Sequence, residues 1–246
     1  MSGAGDDDLA RAVFEVSVLT HREVRSLVGA LAIAWTAARL AKRGSFPLAP
    51  DVSRALLGDL AQWAEDRESW MASAALSIAV DDESHRHDFS SVLQRVLGAW
   101  DGGWPAMRHE VEAFARTRHP EQNFATAGFV LCSVASALAI VLSSTESAEE
   151  TLVRAVNLGG DADTVGAMVG GLLGAAAGPE AFPARWCVFP GSSVVRAVGR
   201  ALEERERSAE QLPDLLALEI ELTHRLNGRR RPRPIAALPE PDESAT

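Results

Sequence analysis

Tyrosine is absent from this chain, lysine occurs once, at Lys42, and cysteine twice, at Cys132 and Cys187. Arginine carries every other basic side chain and alanine is abundant, a skew that reads as a coding bias and not as a functional signal. The two cysteines stand far apart in apolar sequence, which excludes a disulfide-stapled scaffold and predicts buried free thiols. The body of the chain lacks a basic face: 24 Lys and Arg stand against 34 Asp and Glu, a net charge of -10. That excludes generic nucleic-acid binding, which needs cations to neutralise phosphates, and "RLNGRRRPRP" is the one basic run. Alternating β-branched runs bounded by hairpin turns are missing, which excludes a sheet protein. "MSGAGDDDLARAV" has no basic start followed by an apolar run, so no secretory signal is read and a cytoplasmic setting is expected.

What is present is helical periodicity. With 246 residues and a mean hydropathy of -0.00 the chain can bury a sizeable core. Helices are expected over residues 8–19, 51–66, 68–79, 89–99, 105–116, 125–142, 148–156, 162–177, 194–208 and 212–226. "THRE" reads as a capping box, Thr20 with Glu23, that opens a further helix ending at Gly44 and Pro47. The loop "VDDESHRHDF" is expected to be solvated, its His85, His87 and Asp88 included. The acidic run Asp6–Asp8 reads as a frayed terminus, and the proline-rich, charged tail 227–246 as disordered.

Residues 123–145 carry no charge. About 20 apolar residues can span a bilayer, but the serines and alanines here point to a buried central helix, and no membrane partner is expected. In "GAMVGGLLGAAAG" the glycines Gly166, Gly170 and Gly174 recur every four residues, a spacing that lets helix backbones approach closely. This helix, 162–177, is expected to pack against the helix of residues 125–142.

"NLGGDADTVG" places the chemistry. Gly159 and Gly160 permit unusual backbone angles and keep side chains out of a ligand's way. Asp161 stands at a helix N-cap with Asp163 and Thr164 in the first turn, where three oxygens can converge beyond the helix end. Two readings stand at this point. In one, Asp161 is a cap with Asp163 offsetting the helix dipole; in the other, the three residues are hard ligands for Mg²⁺, Mn²⁺ or Ca²⁺.

The stretch "AVNLGGDADTVGAMVGGLLGAAAG" resembles the C-terminal signature of the ADP-ribosylglycohydrolases, the family of the dinitrogenase reductase-activating enzyme. "VLTHREVRSLVGALAIAWTAARL" and "TAGFVLCSVASALAIVLSS" resemble two further family stretches in order and spacing. The resemblance implies an all-α, orthogonal multi-helix bundle that binds ADP-ribose at a two-metal centre, Mg²⁺ or Mn²⁺, and hydrolyses its bond to a modified protein or conjugate. It implies Asp161, Asp163 and Thr164 as metal ligands, and His21, Gly128, Phe129, Gly159 and Gly160 along the ADP-ribose groove. His21 on its own sequence context reads more readily as a local hydrogen-bonding or packing residue.

The family's early Gly-Asp motif, acidic catalytic residue and Thr-Asp-Asp run are not found in this chain. The expectation is therefore a domain lacking its N-terminal part, with half of the metal site, one ion or none, and no assignable catalytic residue. Residues 1–210 are expected to form the family domain and 211–226 a terminal helix. Apolar surface bared by a missing part would be covered by self-association or by a separate N-terminal partner chain. The rival reading is a non-catalytic helical interaction or ADP-ribose-binding module.

Overall fold

Apolar positions recurring at three and four residues become helices, and no strand occurs among the described residues. The computed structural model describes residues 4–73, 85–189, 191–203 and 214–229. The helices are α1 (Ala4–Ser17), α2 (Val24–Arg43), α3 (Pro50–Ser73), α4 (Asp88–Gly98), α5 (Gly103–Arg118), α6 (Val130–Leu142), α7 (Ala148–Val156), α8 (Ala162–Ala177), α9 (Ser192–Glu203) and α10 (Leu215–Arg229). Residues up to Phe182 form one compact unit with α1 to α8, and those from Pro183 form a second with α9 and α10. The all-α class expected from periodicity is the observed one.

The first unit is built around α6, on which every residue from Leu131 to Leu142 is buried. A helix apolar on all sides has no solvent face and belongs in the centre of a fold. It is surrounded by α2, α4, α5 and α8. Gly29 on α2 lets α6 come close: a methyl group there would stand 2.6 Å from Val130 Cγ2. The glycines of α8 do the same for α7, since a methyl on Gly166 would meet Val156 Cγ1 at 2.8 Å. The opposite face of α8 buries Val165, Val169, Leu172, Leu173 and Ala176, and α6 and α8 pack together as the sequence predicts. Cys132 is buried, its thiol pushed up to about 11 by burial and by Glu112. Cys187 is free but only partly buried, against expectation.

α2 stops where Gly44 turns left-handed (φ 63°) and its N–H returns to Leu40 O. That glycine accommodates a backbone angle costly for other residues. By length and composition α2 could cross a membrane, yet half of it is buried within the fold.

Several expectations are corrected. Residues 66 to 68 do not divide two helices, because Asp66, Arg67 and Glu68 are ordinary helix residues and α3 runs through them. The stretch 74–79 lies outside the described residues. Residues 125–129 precede α6 and are not helical, since their backbone bonds to another segment as described below. Residues 227–229 continue α10, and the remainder of the expected tail lies outside the described residues.

Asp6–Asp8 is not a frayed end but part of α1. Arg39 of α2 pairs bidentately with Asp6 (2.9 and 2.6 Å), and Arg67 of α3 pairs with Asp7 (3.0 Å). The same arginines lie over an indole pair: Arg39 over Trp35 at 4.1 Å, Trp35 stacked on Trp63 at 5.7 Å, and Arg67 over Trp63 at 5.3 Å. A cation held by a carboxylate and a ring face is fixed in direction, so this stack fastens α1 to α2 and α3. A cavity of about 240 Å³ beside it is lined by Asp6, Trp35, Arg39, Asp59, Gln62, Trp63 and Asp66.

The hydrogen bonds from Arg39 hold the Asp6 carboxyl below its ordinary 3.8. A lowered carboxylate contributes stability that is full above the unfolded value and is lost as pH falls through the folded one. Amide exchange in α1 is therefore expected to accelerate below about pH 3.8 while α6 stays protected. Asp6→Asn should loosen α1 by about 1 kcal/mol at neutral pH. Equal protection of α1 in the variant and the wild type would show that the carboxylate does not hold it.

Candidate functional site

The connection from α7 to α8 is a turn whose shape only glycine accommodates. Ser147 and Glu150 cap α7 reciprocally (3.2 and 3.1 Å). After α7, Gly159 (φ 78°) and Gly160 (φ 69°) both turn left-handed before α8 begins. The turn then lies on Thr126: Asp161 N–H donates to Thr126 O at 2.7 Å, and Thr126 Oγ1 donates to Gly159 O at 2.8 Å. A methyl on Gly160 would stand 2.6 Å from both Thr126 O and Thr126 Oγ1. The Thr126 segment is itself tied down, with Ser136 Oγ donating to Ala125 O (2.6 Å) and Ala125 N–H to Glu112 (3.2 Å).

This seating decides what Asp161 does. It occupies the N-cap position of α8, but its side chain accepts no hydrogen bond from that helix. Its carboxylate instead faces Gly128, where a methyl group would lie 3.0 Å from Oδ2. The Asp161 carboxyl and the N–H groups of Thr164 and of Asp163 itself hold Asp163 below the ordinary carboxylate range. Neither carboxylate pairs with an arginine or lysine among the described residues. Asp163 and Thr164 are exposed and Asp161 is partly so. Two carboxylates side by side repel unless a proton or a cation lies between them.

The wall beside Gly128 is Phe129, the N-cap residue of α6. Arg25 of α2 lies over its ring at 5.4 Å, and the His119 ring meets its edge at 4.7 Å. Arg25 is anchored on Asp88, which is only 1% exposed and also accepts from Arg118 Nε at 2.8 Å. Asp88 therefore is not part of a solvated loop: it sits in the first turn of α4, facing His85 Nδ1 at 3.1 Å. Residues 80–84 of that loop lie outside the described residues. Glu68 caps the same helix end, accepting from Phe89 N–H (2.9 Å), Ser90 N–H (3.2 Å) and Ser90 Oγ (2.5 Å). Burial pushes its carboxyl up from the ordinary value, against those hydrogen bonds.

The capping box expected at Thr20 does not form. The N-cap of α2 is Glu23, whose carboxylate turns to Arg25, while Thr20 Oγ1 bonds Ser17 O (3.3 Å) and His21 Nδ1 (2.9 Å). His21 is exposed, and no hydrogen bond or ring contact joins it to the Asp161 turn or to Phe129 among the described residues. The structure thus gathers Asp161, Asp163, Gly128, Gly159 and Gly160, with Phe129 adjoining, and leaves His21 with its neighbour Thr20. Sequence reasoning missed Thr126, Arg25, Asp88 and His119. A threonine four residues before the first residue of α6 was the one visible hint of the first, and nothing in the sequence pairs Arg25 with Asp88.

Asp161, Asp163 and the Thr164 hydroxyl are hard oxygen donors of the kind a divalent ion takes. No group of three or more His, Cys, Asp or Glu gathers about a point among the described residues.

A family model described as ADP-ribosylglycohydrolase matches residues 1–214. No curated protein and no solved structure gives a significant match. The chain belongs to the ADP-ribosylglycohydrolase family. The match starts at residue 1, so the expectation of a domain lacking its N-terminal part is not borne out.

The two glycines of the turn are expected to differ on substitution. Gly159→Ala meets nothing within 4 Å and should cost only the left-handed angle, about 1–2 kcal/mol. Gly160→Ala adds the collision with Thr126 and should cost about 3 kcal/mol or more. Chemical denaturation of the two variants measures this, and equal losses would mean that the turn does not rest on Thr126 as described.

Proposed function

We propose that this chain recognises ADP-ribose, free or attached to a protein, at the Asp161 turn, with one Mg²⁺ or Mn²⁺ held by Asp161, Asp163 and Thr164. The observation that carries the reading is the pair of carboxylates set side by side on a turn fixed by Thr126, with no basic side chain to offset them among the described residues. Such an arrangement is stable at neutral pH when a cation completes it. Gly128 supports the reading because its lack of a side chain leaves Asp161 Oδ2 open on that side. A ring at Phe129, backed by Arg25, offers the apolar flank a nucleoside needs.

Bound there, a divalent ion would supply charge stabilisation for ribose hydroxyls and for a water that cleaves the glycosidic bond. The chain's own part is to hold that ion's ligands, keep the backbone clear at Gly159 and Gly160, and orient the sugar against Gly128. Family membership favours hydrolysis of ADP-ribose from modified proteins or conjugates as the activity. A second reading, binding without turnover, is favoured by the two carboxylates standing together at this turn, fewer among the described residues than a dinuclear centre needs on its two sides. We place the protein in the cytoplasm, with self-association or a separate partner chain as a further component of this proposal.

Calorimetric melting tests the site. Metal at about ten times its Kd should stabilise the native state by about 1.4 kcal/mol, a rise of roughly 3–5 °C for a chain of this size. Asp161→Asn with Asp163→Asn should abolish that rise while lowering the metal-free melting point only slightly, because the hydrogen bonds that favour the Asp163 carboxylate are weakened at an exposed position. Release of ADP-ribose from a modified peptide, lost in the double variant, would select hydrolysis. Binding without release would select the second reading, and identical melting of both proteins with metal would overturn the site.

A further inference from the structure

We infer that Arg25, anchored on the buried Asp88, is a positioning residue that holds Phe129 and, through it, the Gly128 backbone facing Asp161. The inference rests on the reading of the Asp161 turn as the binding site. Arg25 is 9% exposed, so its charge must be matched within the fold. It donates to the Glu23 carboxylate and to Asp88 Oδ2 at 3.4 Å, and its guanidinium lies over the Phe129 ring at 5.4 Å.

Asp88 is fixed without help from Arg25. Its other oxygen accepts from Arg118 at 2.8 Å, and it stands at the N-terminal end of α4, where the helix dipole favours a carboxylate. The neighbouring N–H groups of that end are taken by Glu68. Asp88 is thus a rigid post joining the starts of α2 and α4 to the end of α5, and Arg25 reaches from it to the ring.

Phe129 in turn commands Gly128. The Phe129 carbonyl accepts from the N–H groups of Cys132 (2.7 Å) and Ser133 (2.9 Å), which locks its backbone to α6. Gly128 has no side chain with which to hold its own place, so it is set by Thr126 on one side and Phe129 on the other. If the ring moved, the Gly128 backbone would shift against the Asp161 carboxylate. The guanidinium suits this role because a planar fork can reach two carboxylates and cover a ring at once, whereas a lysine ammonium is a point charge on a flexible stem.

Hydrogen exchange read by mass spectrometry tests this on the ligand-free chain. Arg25→Met keeps the apolar stem and leaves Asp88 paired with Arg118, so the fold should persist. Exchange over residues 124–129 and 158–161 is expected to rise about fivefold, the loss of one partly desolvated cation–ring contact, with α3 unchanged. Arg25→Lys should fall between the variant and wild type, and Phe129→Leu, which carries the test should Arg25→Met not fold, should reproduce the local rise. Unchanged exchange at both stretches, or a uniform rise along the chain, would overturn the role of Arg25. A titration with ADP-ribose keeps the two readings apart: Arg25→Met should raise its Kd about fivefold. Absence of binding to wild type, with the local exchange rise intact, would overturn the ADP-ribose reading and leave the Arg25 contact standing.

Discussion

The carbonyl of Thr126, accepting the N–H of Asp161, is the contact on which the arrangement of this protein depends. It joins the entry to the buried helix α6 with the entry to the glycine-lined helix α8, and so brings the two ends of the central packing to one place. The contact is possible only because Gly160 carries no side chain, since a methyl would collide with both oxygens of Thr126. It also takes the Asp161 side chain away from capping α8 and turns it toward Gly128. Shape and chemistry at this point have one cause.

A second constraint is electrostatic. In a chain of net charge -10, the buried charged side chains among the described residues, Arg25, Glu68 and Asp88, meet at the N-terminal end of α4. Asp88 and Glu68 satisfy that helix end, and the arginines Arg25 and Arg118 satisfy Asp88. Buried pairs of this kind contribute little net stability, because desolvation offsets the attraction. What they do contribute is direction: each group has one place in which its charge is matched. That is why Arg25 can serve as a fixed backing for an aromatic ring near the site.

The site itself differs in kind from this network. Asp161 and Asp163 are at the surface, stand side by side and have no cationic side chain beside them among the described residues. Within one chain, the carboxylate at the start of α4 is matched by arginines and those at the start of α8 are not, among the described residues. The left-handed backbone of Gly159 and Gly160 and the hydrogen bonds with Thr126 hold this turn in place before any ligand arrives, which limits the ordering a bound ligand would have to impose.

The helices were legible because helical periodicity is a local property: α7 and α8 fall on the residues expected, and the uncharged α6 and the glycine spacing of α8 foretold their packing. The glycine pair before two aspartates was legible for the same reason, since backbone freedom and donor type are written in adjacent residues. What the sequence could not contain was which distant groups meet. The Thr20 capping box failed because Arg25, two residues past Glu23, draws that carboxylate to itself. The helix expected from residue 125 starts at 130 because Thr126 bonds the turn 33 residues away. Asp88 looked like a loop residue until α2 and α5 placed arginines on it, and Asp6–Asp8 looked frayed until Arg39 and Arg67 reached it across other helices. Local pattern sets where each helix runs and which residues carry chemistry. Only the packed chain decides how a charged side chain is matched, because the partners lie far apart in sequence and are brought together by burial of the apolar faces between them.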